Sequence, residues 1–158
     1  MSLLNKIKTL LSGKEKPREG DAARALQIAN AVLLVEISHA DFETDPNELK
    51  TASARLARRY SLDPGQADAL LEEALAEHRQ SVSLHDHLTV INNVFDRKQK
   101  TELVEDLWAI AYADDKLDCH EEHQVRKIAD LLHVPHVRFI KAKHRAQQER
   151  SRQEQTPE

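Results

Sequence analysis

Apolar residues recur at three- and four-residue spacing along almost the whole chain, the pattern of amphipathic helices. No stretch shows sustained β-branched alternation, so no sheet is expected. A first amphipathic segment carries Leu3, Leu4, Ile7, Leu10 and Leu11, with Lys6 and Lys8 between them. Gly13 to Gly20, with Pro17 and many charges, predicts a linker. A helix is then predicted from about Asp21 to Ala40; Ile28, Val32, Val35 and their neighbours make it apolar nearly all round, hence central. Asp45-Pro46 and Asp63-Pro64 open two further helices with proline at the first helical position, and Leu70, Leu71, Ala74 and Leu75 form the stripe of the second. Ser83 opens the next, through Leu88, Ile91 and Phe95, and Asp96 with Gln99 opens another, through Leu103, Leu107, Ile110 and Ala111. Asp118 leads into Val125, Ile128, Leu131 and Leu132, and Pro135 starts a last helix whose stripe fades after Ile140 into a charged tail, expected to fray. The expected architecture is all-α: one domain of about seven helices over residues 21–145, preceded by an amphipathic segment and linker (1–20) and followed by a charged tail (146–158).

The helical pattern is used twice. Ala113-Asp114-Asp115-Lys116-Leu117-Asp118-Cys119-His120-Glu121, moved back until Asp114 lies on Asp41, falls on Ala40-Asp41-Phe42-Glu43-Thr44-Asp45-Pro46-Asn47-Glu48. Asp41, Asp45 and Glu48 then coincide with Asp114, Asp118 and Glu121. At the same displacement Leu56 to Leu62 resembles Ala129 to Pro135, both closing an amphipathic helix before a short turn. Two helix–acidic turn–helix units about a pseudo-twofold axis are predicted, neither able to cover its apolar face alone.

Asp-x3-Asp-x2-Glu brings three negative charges close together, which calls for a cation or basic group to offset them. Oxygen-only donors suit a hard divalent ion, Ca²⁺, Mg²⁺ or Mn²⁺, although the spacing is not that of an EF-hand. Asp45/Glu48 and Asp118/Glu121 also fit capping boxes, which need no metal. Capping does not account for Asp41 and Asp114, placed at the ends of the preceding helices where the macrodipole disfavours anions. Zn²⁺ is a weaker expectation: His120/His123 and His133/His136 are three apart, whereas a zinc-protease motif needs His-Glu-x-x-His. Glu36, inside the most apolar run, needs a partner or membership of the first acidic cluster.

Charge and composition narrow the functions further. A formal charge of −4 argues against general nucleic-acid binding. The segment Thr101 to Val125 holds eight acids and one lysine, whereas Met1 to Gly20 holds five basic residues and two acids. No apolar run reaches the ~20 residues a bilayer span requires, and no signal peptide is evident, so a cytoplasmic protein is expected. The single cysteine, Cys119, agrees with a reducing compartment and is expected to serve as small packing. Residues 1–12 could pack on their own domain, or offer peripheral contact to the inner face of a membrane or to a protein partner.

Leu33-Leu34-Val35-Glu36 leading into Ala40-Asp41-Phe42, with Leu107-Trp108-Ala109-Ile110-Ala111-Tyr112-Ala113-Asp114 and Glu121-Glu122, resembles the TerB-like tellurite-resistance family over roughly Ala22 to Lys143. The resemblance implies an all-helical fold of paired repeats and metal-binding acids at Asp41, Asp45, Glu48, Asp114, Asp118 and Glu121. The family's glycine after Ala-Asp is replaced by Phe42 and Asp115. The expected function is a non-enzymatic binding or scaffold module linked to tellurite or stress resistance, with a protein partner. The alternatives are a metal-dependent hydrolase using the same carboxylates to activate water and a metal-free module docking a basic partner.

Overall fold

The structure is a computed structural model that describes residues 19–38, 46–80, 84–113 and 119–155. The amphipathic segment at 3–11 and both stretches carrying Asp41, Asp45, Asp114 and Asp118 lie outside the described residues. Seven helices account for the described chain: α1 Glu19–Ser38, α2 Pro46–Tyr60, α3 Pro64–Gln80, α4 His85–Val94, α5 Arg97–Ala111, α6 Cys119–Leu131 and α7 His136–Gln155. There is no strand among the described residues.

The helix starts follow local chemistry. Pro46 and Pro64 occupy first helical positions, where no backbone N–H is needed. Asp63 and Gln66 form a reciprocal capping box at α3, with hydrogen bonds of 2.7 and 3.0 Å. Asp96 and Gln99 repeat it at α5, with bonds of 2.8 and 2.9 Å. At α4 the residue before the first turn is Leu84, whose side chain makes no cap bond; Ser83, expected there, lies outside the described residues.

Helix α1 is the centre. Ile28, Ala29 and every residue from Ala31 to Val35 are buried, and α1 packs against α2, α3, α4, α5 and α6. The duplication is visible in the packing. α1 ends at Ser38 and α5 at Ala111, the same interval that separates Asp41 from Asp114. Glu48, Ala52 and Leu56 are the buried face of α2, and Glu121, Val125 and Ala129 are buried at that interval on α6. Both second helices close alike. Ser61 and His133 take positive φ (54° and 60°), and Leu62 and Val134 donate to the carbonyls of Ala57 and Ala129. These turns are closer in sequence, by a single position, than the match of Leu56–Leu62 to Ala129–Pro135 implies, so the second unit is slightly the shorter.

Two side chains and one helix depart from expectation. Leu131 is exposed, and Ala129 takes its place in the stripe. Cys119 is exposed rather than packed. The last helix does not fade after Ile140: α7 continues to Gln155, with Ala142 and Ala146 buried, because small residues let it lie along α5.

A buried ion-pair network fastens α2, α5 and α7. Asp106, 2% exposed, accepts from Arg55 Nε at 2.7 Å and Arg59 Nη2 at 3.0 Å. Arg55 reaches on to Glu149 at 2.6 Å, and Arg59 to Glu102 at 2.9 Å. Burial alone would lower the pKa of Arg55, but Asp106 and Glu149 together raise it above its ordinary value. Asp106→Ala leaves two arginines without their shared carboxylate. It is expected to cost on the order of 3 kcal/mol in urea unfolding, the low end for a broken buried pair because Arg59 stays partly solvated.

His87 of α4 is buried, and that desolvation, with a further lowering from His78, outweighs the Asp86 charge to bring its pKa down from 6.5 to about 4. The folded state thus keeps a neutral imidazole while the unfolded chain takes up a proton. Stability is held above pH 6.5 and lost as pH falls from there towards 4, by on the order of 2 kcal/mol. Unfolding curves of wild type and His87→Gln across that range are expected to converge at low pH.

Candidate functional site

The six acids divide by position. Glu48 and Glu121 sit in the first turns of α2 and α6, each 1% exposed. A carboxylate buried to this degree is costly unless compensated, and a helix N-terminus, where backbone N–H groups point outward, is a favourable place for one. Asp41, Asp45, Asp114 and Asp118 lie outside the described residues. Among the described residues no three His, Cys, Asp or Glu side chains form a group that could hold a metal ion.

The helices flanking the two acidic stretches meet crosswise. Near the end of α1, Glu36 accepts from Gln124 Nε2 of α6 at 3.1 Å and lies 2.5 Å from His78 Nε2 of α3. The end of the helix before the first stretch is therefore tied to the start of the helix after the second. Under the displacement that carries Asp41 onto Asp114, Glu36 corresponds to Ala109, and Gln124 corresponds to Thr51. These two line one cavity of about 490 Å³, between the start of α2 and the end of α5. Lys50, Tyr112 and Ala113 line it as well. The helix after the first stretch thus begins beside the end of the helix before the second. All four helix ends that bracket the acidic stretches lie at one end of the domain.

Trp108, fully buried on the last turns of α5, stacks on Tyr112 with centroids 5.8 Å apart and tilts against Phe139 at 5.2 Å. The Lys143 ammonium lies 5.2 Å from the indole centroid and 3.4 Å from Glu122. This packing binds the aromatic run that precedes Asp114 to α7 and to the first turn of α6.

A family model described as tellurite resistance protein TerB matches residues 27–144. The chain belongs to this family. Comparison with curated proteins found no match, and neither did comparison with solved structures.

Within the TerB domain, two sets of polar residues escaped the sequence reading. One is the Arg55–Asp106–Arg59 network, whose wall, with Arg55 and Glu149, forms part of the 490 Å³ cavity. Its signal was an acid inside the apolar run Leu103–Ala111 facing arginines four apart on α2. The other is the Glu36–His78–Gln124 junction, of which only Glu36 stood out. His120, His123, His133 and His136, offered as zinc ligands, are all exposed, and none belongs to a group of three such donors among the described residues. Removing the carboxylate at the junction is expected to loosen α1 from both neighbours. Glu36→Ala should lose about 1–3 kcal/mol by thermal unfolding, and Glu36→Gln less, because the amide keeps a hydrogen bond to Gln124.

Proposed function

We propose that this TerB domain is a non-enzymatic binding module whose two acidic stretches act together as a divalent-cation site that governs docking of a protein partner. The observation that carries it is the crosswise meeting of the four bracketing helix ends, through Glu36–Gln124 and the cavity lined by Thr51 and Ala109. Acids far apart in sequence are thereby attached to neighbouring points in space. Asp41, Asp45, Glu48, Asp114, Asp118 and Glu121 are the residues that would hold the ion. All their donors are carboxylate oxygens, which suit Ca²⁺, Mg²⁺ or Mn²⁺ better than Zn²⁺. A bound cation would supply charge neutralisation, drawing two mutually repelling stretches into one surface. The cytoplasmic placement and the link to tellurite or stress resistance belong to the same reading.

Titration calorimetry with Ca²⁺, Mn²⁺ and Zn²⁺, on wild type and Asp114→Ala, tests it. Wild type is expected to give saturable heats with Ca²⁺ or Mn²⁺, and the variant to bind about tenfold or more weakly. Trp108, the only tryptophan, is expected to report the same binding as a change in emission. Flat traces for both proteins would remove the cation from the function.

A further inference from the structure

Three large hydrophobic side chains are exposed among the described residues: Val94 at 50%, Leu131 at 44% and Val137 at 64%. They are not scattered. Val94 ends α4, Leu131 ends α6 and Val137 lies in the first turn of α7. Asn92 Nδ2 donates to the Leu131 carbonyl at 3.0 Å, holding the ends of α4 and α6 together. The closing turn of α6, with His133 at positive φ and the bond from Val134 to Ala129, brings α7 in at the same place. This is the end of the domain away from the acidic stretches, since α5 and α6 run from one end to the other.

Cations stand on the same helix ends. A cavity of about 300 Å³ between the first halves of α5 and α7 is lined by Lys98, Arg138, Lys141 and Arg145, together with Glu102 and Glu105. The two glutamates are already engaged, with Arg59 and Arg145, each at 2.9 Å. Lys98, Arg138 and Lys141 have no ion pair among the described residues. Lys127 and Lys141 each share a helix face with an apolar tip, at four-residue spacing from Leu131 and Val137. Besides Glu102 and Glu105, these helix ends carry Asp96, whose side chain caps α5, and the exposed Asp130. Lys98 and Arg138 stand in the first turns of their helices, where the macrodipole disfavours positive charge. Helix stability does not explain them.

We infer that this end of the domain docks on an anionic lipid bilayer, with Val94, Leu131 and Val137 entering the interface and Lys98, Arg138 and Lys141 meeting lipid phosphates. Apolar tips backed by lysines one turn behind them match a surface that is greasy within and negative at its rim. The three tips come from three helix ends rather than from one groove, which suits a broad surface better than a peptide. Helix α1 also begins at this end.

Vesicle co-sedimentation of the full chain tests this, with phosphatidylcholine alone and with roughly one-third phosphatidylglycerol. Wild type is expected to pellet with the anionic vesicles only, and to be released by salt. Removing three charges in Lys98→Ala/Arg138→Ala/Lys141→Ala is expected to weaken partitioning at least about tenfold. Leu131→Ser/Val137→Ser is expected to weaken it as well, and all five positions reach solvent, so both variants should keep the wild-type circular dichroism. Triple-variant binding equal to wild type would overturn the proposal by placing the contact elsewhere in the chain. Wild type left in the supernatant with anionic vesicles would overturn it too.

Discussion

Burial of α1 is the constraint from which the rest of the architecture follows. A helix that is apolar nearly all round cannot stop at one partner, because each face left in water forfeits about 25 cal/mol for every Å² of apolar surface. Five helices close on it, and neither repeat contains enough of them to do so by itself. The duplication is thus an energetic requirement of this sequence as well as its history: α1 of the first unit and α5 of the second each complete the other's cover. The polar groups along α1 are spent at contacts between elements. Asn30 donates to the Tyr60 hydroxyl at 2.6 Å, and Glu36 joins α3 and α6.

The same closure sets where the acids emerge. α1 and α5 both end, and α2 and α6 both begin, at one end of the domain, so both connecting stretches are attached there. Glu36–Gln124 and the Thr51–Ala109 cavity wall are the two halves of this crossing, and they are chemically unequal. One half is a hydrogen-bonded carboxylate. The other is an open cavity with Lys50 and Arg55 in its wall. The pseudo-symmetry is therefore one of backbone and burial, and the two halves of the crossing differ in chemistry.

How much of this could be read from the sequence depended on whether the signal was periodic or paired. The fold was legible because helical spacing, the prolines at 46 and 64, and the Asp-x-x-Gln boxes at 63 and 96 are local, and local physics decided them. Asp106 was not legible in the same way. Its role depends on Arg55 and Arg59, which lie far back in the sequence on α2, and only packing brings them together. The reach of α7 was hidden for a related reason. After Ile140 its buried positions are alanines, Ala142 and Ala146, whose weak hydrophobicity reads as a fading stripe but allows a close approach to α5. Of the candidate site, Glu48 and Glu121 are placed by the buried faces of α2 and α6, while the four aspartates follow from sequence spacing alone.

Charge stands in different relations to the helix dipole at the two ends of the domain. Anions in the first turns of α2 and α6, at Glu48 and Glu121, favour the helices and can be understood as part of folding. Lys98, in the first turn of α5, is placed where the dipole of that helix opposes it. Such a placement costs only about 0.3–1 kcal/mol, so folding tolerates it without favouring it. A positive charge that folding does not favour leaves the start of α5 suited to an anion, in keeping with the proposed bilayer contact. The 15 residues of α5 hold its two ends about 22 Å apart on a rigid rod, so the cationic start of α5 and the cavity wall at its end are separate surfaces.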